Sequence, residues 1–264
     1  MSDPRISVLA VGATGSIGRH VVEDALRRGH RVRALVRNPA EHRFPDGVEV
    51  AAGDLTRPNT LLAAVDGIDA IVFTHGSHGW TAAAAEAVDY GGVRNVLAAL
   101  EHRKTRIALM TAIGVTDRKG THDWKRRAER LVRASGLPYT IVRPGWFDYN
   151  EPDQRRLVFL QGDKRQSGTP RDGVIARGQL AEVLVRSLTS PAAVGKTFEF
   201  VSEKGPQQAD LDRLFADLDP DRPSTVDAVS DAANMPLDRE PRRVLDDLKA
   251  VELRHASLDG VQSR

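Results

Sequence analysis

The stretch from Val8 to His20 reads Val-Leu-Ala-Val-Gly-Ala-Thr-Gly-Ser-Ile-Gly-Arg-His, and it constrains the fold more than any other part of the chain. An apolar run breaks into glycines spaced three apart, Gly12, Gly15 and Gly18. It then passes into a helical pattern carrying Val21, Val22, Ala25 and Leu26. Strand, tight turn and helix are the context in which a glycine motif carries information. Gly12 lets the chain turn sharply off the strand, Gly15 lacks a Cβ and admits a pyrophosphate to the backbone, and Gly18 lets the helix pack close to the strand. The N–H groups and dipole at the helix start favour the phosphate charge. The spacing is G-x-x-G-x-x-G rather than G-x-G-x-x-G, so the flanks matter as much as the glycines.

The rest of the chain repeats that alternation. Ile6 to Val11 reads as a first strand, apolar throughout and therefore buried on both faces. A helix from Ser16 to Arg28 stops at Gly29. Further strands are expected at Arg31–Arg37, Val48–Ala51, Ala70–Thr74, Arg106–Met110 and Tyr139–Arg143, with helices at Arg57–Val65, Ala82–His102 and Thr121–Ser135. Gly91-Gly92, inside the long helix, implies close packing or a local break. The pattern predicts an α/β fold, a Rossmann-type doubly wound parallel sheet whose ligands bind at the carboxyl ends of the strands. Residues 1–150 form the nucleotide-binding core. Residues 151–218 form a small substrate-side lobe integrated with it, carrying the run Leu157–Leu160, a helix at Gln179–Leu188 and a strand at Thr197–Val201. Residues 219–264 form a charged extension with an amphipathic helix on Val244, Leu245, Leu248 and Leu253.

Composition narrows the chemistry. The 264 residues include 38 basic and 36 acidic side chains, a net charge of +2 that makes no case for nucleic acid. No apolar run has membrane-spanning length. The absence of cysteine removes disulfides and thiolate sites and fits a cytoplasmic location. His75 and His78 invite a metal reading, but without cysteine or a nearby carboxylate cluster no metal is expected. His75-Gly76 reads instead as a loop beside the cofactor ribose and pyrophosphate.

The end of the second strand discriminates between nicotinamide cofactors. An NAD site places an acidic residue there for the ribose 2′-OH, whereas this chain places Arg37. A guanidinium holds a 2′-phosphate through paired, charge-assisted hydrogen bonds, so NADP is expected, with NADPH preferred over NADH. Arg19 adds charge if it folds back, and Arg33 lies on the same strand face. Asp54 either accepts from the adenine amino group, with Leu55 against the ring, or is a turn residue.

Together these residues resemble an atypical short-chain dehydrogenase/reductase, of the group that includes NmrA-like and NADP-binding flavin reductase-like proteins. The resemblance spans Ile6 to Val201. It rests on the glycine loop, on Arg33-Ala-Leu-Val-Arg37-Asn-Pro, on Gly53-Asp54-Leu55, and on the stretch from Ser135 to Gly145 that ends Arg143-Pro144-Gly145. It implies cofactor contacts from Gly12, Thr14, Gly15, Ser16, Ile17, Gly18, Arg37, Asp54, Leu55, His75, Gly76 and Pro144, with Pro144 beside the nicotinamide. The catalytic pattern departs. Where the family carries Tyr-x-x-x-Lys, this chain has Thr121 and Lys125, which share a helix face. A threonine hydroxyl is too weak an acid to replace a phenol. His122, one residue on, is of a type that donates protons near neutrality. Thr111, after the fifth strand, is expected to hydrogen-bond a substrate carbonyl or cofactor amide. Lys125 can alternatively join Arg126, Arg127, Arg130 and Arg133 on a solvated basic face.

The resemblance implies an oxidoreductase transferring hydride from NADPH to a small carbonyl or quinone-like acceptor, with Thr111, Lys125 and His122 as the catalytic set. The rival is a non-catalytic NADP(H)-sensing regulator acting on a protein partner; a sugar-nucleotide epimerase ranks last because it needs the missing tyrosine. The partner of the reductase is a small molecule, and a homodimer is compatible with either reading.

Overall fold

The computed structural model describes residues 4–77, 81–223 and 225–256. His78, weighed above as a metal ligand, lies outside the described residues. The core alternates β1 (Ser7–Val11), α1 (Gly18–Arg27), β2 (Arg31–Val36), β3 (Val48–Ala52), α2 (Leu62–Val65) and β4 (Ala70–Phe73). A helix in three parts follows: α3 (Ala82–Ala84), a π-helical turn (Ala85–Tyr90) and α4 (Gly91–Leu100). Then come β5 (Arg106–Met110), α5 (Thr121–Ala134) and β6 (Tyr139–Pro144).

The sheet order is β3-β2-β1-β4-β5-β6, all parallel. The direction of winding reverses between β1 and its two neighbours, which opens a crevice at the carboxyl ends of the strands. Side chains alternate across the sheet. Val8, Ala10, Ala70 and Val72 pack with Val21 and Ala25 of α1 on one face. Leu9, Val11, Ile71 and Phe73 pack with Val96 of α4 and Trp124, Ala128 and Leu131 of α5 on the other.

The later residues continue the same sheet. β7 (Trp146–Phe147), β8 (Arg156–Leu160), β9 (Val174–Ile175) and β10 (Lys196–Glu203) join it, with β10 parallel to β6 and β8 antiparallel to β10. α6 (Arg177–Ser187) packs against α1, and α7 (Leu211–Ala216) adds Phe215 to the same core. α8 (Arg242–Ala256) packs against α4 and α5 through Val244, Leu248 and Val251. Leu253, expected on that buried stripe, is 64% exposed.

Gly91-Gly92 has both of its expected consequences. The π-helical turn ends there, and a Cβ on Gly92 would stand 3.1 Å from His75 Nε2 and 3.2 Å from Leu55. Expected boundaries shift elsewhere by a few residues. The Arg57–Val65 helix is a 3-10 turn at Pro58–Thr60 followed by α2.

The reading of a solvated basic face on α5 is overturned. Arg126 and Arg130 are completely buried, and segment 219–240 lies over them. Arg126 and Arg130 bond to Asp227, Arg127 and Arg130 to Glu240, and Arg133 to Asp221. Arg143 of β6 meets Glu129, Glu199 and Asp231 at 2.7–3.2 Å. Helical periodicity sets several arginines on adjacent faces of α5, but only the returning acidic segment decides that they are buried. Charges stripped of water this way need their partners. Burial alone would raise the Asp231 carboxyl, and the bonds and charge of Arg143 outweigh it and hold it below the usual carboxylate range.

Asp231→Ala is therefore expected to cost about 3 kcal/mol in urea denaturation, because it removes one partner of a buried charge. Asp246→Ala, which breaks an exposed pair with Arg242, should change stability by less than about 0.5 kcal/mol. Equal, small losses in both variants would contradict the burial of this network.

Candidate functional site

The crevice is a single cleft of about 1050 Å³ running over the carboxyl ends of β3, β2, β1, β4, β5 and β6. Its floor is the glycine loop. Gly12 has φ +88°, a left-handed backbone, and a Cβ there would fall 2.7 Å from the His75 nitrogen. A Cβ on Gly18 would lie 2.0 Å from the Gly12 carbonyl oxygen, so Gly18 sits beneath the loop and lets α1 approach β1. Gly15 N–H donates to Gly12 O at 2.9 Å, and the loop faces the cleft with Thr14, Gly15, Ser16 and Ile17. Arg19 folds back, its Nε 3.2 Å from Thr14 O.

At the β2–β3 end, Arg37 follows directly on β2, exposed at the cleft edge. Arg33, its companion by alternation, instead bonds the Ala64 and Asp66 carbonyls at the end of α2 and pairs with Glu49. Asp54 Oδ1 accepts from Thr56 N–H at 2.9 Å and Thr56 Oγ1 at 2.8 Å, an Asx turn. Those bonds first, and then the Arg57 and Arg37 charges, hold its carboxyl below the usual range. Leu55 lines the cleft, and its carbonyl is pinned by Asn95 Nδ2 at 2.7 Å.

Beyond β4, the loop carrying His75, Gly76 and Ser77 is fastened to the π-helical turn. His75 Nε2 lies 3.1 Å from Val88 O, which assigns the ring proton to Nε2. Burial pushes the imidazole down to about 4, despite the opposing Asp89 charge, so it is neutral. Asp89 accepts from Ser77 N–H at 3.1 Å, Ser77 Oγ at 2.7 Å and Lys125 Nζ at 3.0 Å. Lys125 thus reaches the cleft from α5, held by a carboxylate that periodicity did not single out. The one sequence signal for Asp89 is its place just before Tyr90-Gly91-Gly92. Short π-helical turns recur at functional sites.

At the β5–β6 end, Thr111 and Pro144 line the cleft. Thr111 Oγ1 donates to the buried carboxylate of Glu129 at 2.7 Å. Its only proton is therefore engaged, which counts against the substrate carbonyl and leaves the cofactor amide of the two expected partners of Thr111. His122 Nδ1 stands 3.0 Å from Gly114 O and 3.6 Å from Asp117, with the ring partly exposed in the cleft. Thr121 also lines it. Arg143 lies beneath the floor, in the network with Glu129.

The far wall comes from residues that the sequence offered only as a polar segment. Asp163 clamps the loop after β5, accepting from Gly114 N–H at 2.6 Å and Thr116 N–H at 2.7 Å. This brings Gln166, Gly168 and Asp172 opposite Ile113, Trp146 and Phe147. Tyr149 is 63% exposed and meets Trp146 edge-on at 6.2 Å.

A dinucleotide fits this geometry. The glycine turn tolerates no side chain at Gly12 or Gly18, a guanidinium stands at the β2 end, and an ammonium stands over β4–β5. At about 1050 Å³ the cleft lies at the upper end of the roughly 300–1,000 Å³ typical of small-ligand sites.

Comparison with known proteins agrees. A family model described as NAD(P)H-binding matches residues 12–191. The photosystem II assembly factor Ycf39 of Cyanophora paradoxa is 34% identical over 79% of this chain and 67% of its own length. Sanguinarine reductase of Eschscholzia californica is 26% identical over 82% of this chain and 97% of its own. A solved structure from Bacillus halodurans, described as an NAD-dependent epimerase/dehydratase, superposes with a TM-score of 0.66 at 25% identity. It covers 81% of this chain and all of that one.

The His75 environment makes a pH prediction. Its folded value of about 4 lies below the ordinary 6.5, so the unfolded chain binds more protons between those limits. Stability contributed by the neutral ring is present above pH 6.5 and is lost as pH falls toward 4. In urea melts from pH 7 to pH 4.5, the stability of the wild type relative to His75→Gln should decline with falling pH. A gap that stays constant would show that the ring is not buried in neutral form.

Proposed function

The chain belongs to the NAD(P)H-binding family, within the atypical short-chain dehydrogenase/reductases, and on that premise we propose that it is an NADP(H)-dependent reductase of a small carbonyl or quinone-like acceptor. The observation that carries this reading is the chamber beyond the cofactor half of the cleft, walled by Ile113, Trp146, Phe147 and Gln166. A protein that only held the cofactor would need no such room.

The bound cofactor supplies the hydride. The protein's own groups bind and orient. Arg37 receives the 2′-phosphate through its paired N–H groups and so prefers NADPH. The glycine loop takes the pyrophosphate. Lys125, its charge balanced by Asp89, turns its remaining N–H groups toward the ribose hydroxyls. His122, whose Nδ1–H donates to Gly114 O, delivers a proton to the reduced acceptor from Nε2 only in its imidazolium form, and as the neutral ring it accepts there. Thr121 stands where the resemblance implies a phenol, and acceptors whose reduced form is stable as an anion, or takes its proton from water, suit that lack. Trp146 and Phe147 offer aromatic faces to a flat acceptor. The cysteine-free chain is assigned to the cytoplasm.

A second reading is favoured by Thr121 in the phenol position and by the engaged proton of Thr111: a regulator that binds NADP(H) and signals its redox state to a protein partner. The two separate on one assay. NADPH mixed with a panel of quinones and aldehydes should be oxidised, as followed by absorbance of the reduced cofactor. Tight NADPH binding with no oxidation by any acceptor would favour the regulator. Arg37→Asp should weaken NADPH binding by about 10- to 100-fold and NADH binding much less, as loss of a charge-assisted bidentate contact implies. Equal weakening would remove Arg37 from the 2′-phosphate.

A further inference from the structure

We propose that Thr111 is a cofactor-positioning residue whose hydroxyl oxygen accepts a hydrogen bond from the carboxamide –NH₂ of the nicotinamide, and that Glu129 sets this polarity. The inference rests on the NADP(H) reading above and assigns Thr111 a role opposite to proton donation.

A hydroxyl has one proton and two lone pairs. The proton of Thr111 points to Glu129 Oε1 at 2.7 Å, in a fully buried contact. Glu129 is an acceptor on every side. Arg143 reaches it through Nε at 3.0 Å and Nη2 at 2.7 Å, and Arg133 through Nη2 at 3.2 Å. What Thr111 has left for the cleft is lone pairs, which repel a carbonyl oxygen and attract an N–H.

The backbone around it is similarly disposed. Thr111 N–H donates to Val142 O, Ile113 N–H to Pro144 O, Gly145 N–H to Phe200 O and Trp146 N–H to Gly173 O, all at 2.9–3.0 Å. Pro144 has no N–H at all. These four N–H groups are therefore engaged within the protein and do not compete for the Thr111 oxygen.

Strand order places that amide. With neighbouring strands about 4.8 Å apart, β5 and β6 lie roughly 10 and 14 Å from β1. Arg37 and Asp54 mark the adenosine side, over β2 and β3. The pyrophosphate sits at β1, so the nicotinamide extends the other way, past Lys125, to Thr111 and Pro144. A primary carboxamide is the group on that ring with protons to give.

The test uses NADP⁺ and its 3-acetylpyridine analogue, in which a methyl replaces the –NH₂. Dissociation constants are measured by calorimetry for the wild type, Thr111→Ser and Thr111→Val. The wild type and Thr111→Ser should bind NADP⁺ about 5- to 10-fold more tightly than the analogue, the worth of one hydrogen bond. Thr111→Val should bind both within about twofold. Equal binding of the two dinucleotides by the wild type would overturn the proposal on the unaltered protein. So would a Thr111→Val variant that keeps the wild-type preference. A wild type that binds neither dinucleotide would instead overturn the NADP(H) reading itself.

Discussion

A single buried carboxylate, Glu129, ties the cleft to the rest of the protein. It lies in the middle of α5 and receives Thr111 from the cleft, Arg143 from β6 and Arg133 from its own helix. Arg143 in turn holds Asp231, and Arg133 holds Asp221. The acidic segment 219–240 therefore does two things at once. It removes the α5 arginines from water with their partners in place, and it completes the charge balance beneath the reactive end of the cleft. Buried ion pairs seldom add net stability over apolar packing, but breaking one is costly. The network is best understood as fixing α5, and hence Lys125 and Thr111, in one arrangement.

The layout of the cleft follows from strand order. One reversal of winding at β1 puts an arginine and an Asx turn on one side and a lysine, a histidine and a threonine on the other. The two sides differ in kind. The β2–β3 side presents an exposed guanidinium suited to a phosphate. The β5–β6 side presents the Thr111 oxygen, a Lys125 charge already balanced by Asp89 and, among the described residues, no phenol. That asymmetry supports binding and orientation of a dinucleotide more directly than proton donation.

Much of this was legible in the sequence because the signals are local. The turn from Gly12 to Gly18, the apolar strands and Arg37 each depend on neighbours a few residues away. Gly91-Gly92 announced close packing, and the structure supplies the reason in His75 and Leu55. Other features depend on partners far along the chain. The arginines of α5 look solvated until segment 219–240 is folded over them, 88 to 113 residues on. Asp89 faces the cleft through a π-helical turn, which no 3.6-residue period encodes. The short strands β7 and β9 have two residues each and carry no pattern. The polarity of Thr111 is set by Glu129 across the packing of α5 on the sheet, so the residue type alone left the direction of its hydrogen bond open.

The central claim is that a dinucleotide lies across β1 with its adenosine over β2–β3 and its nicotinamide over β5–β6. A crystal structure with NADP⁺ bound tests it most directly. The account predicts the 2′-phosphate within hydrogen-bonding distance of Arg37 and the nicotinamide ring beside Pro144. A dinucleotide in the reverse direction, or a 2′-phosphate with no contact to Arg37, would contradict it.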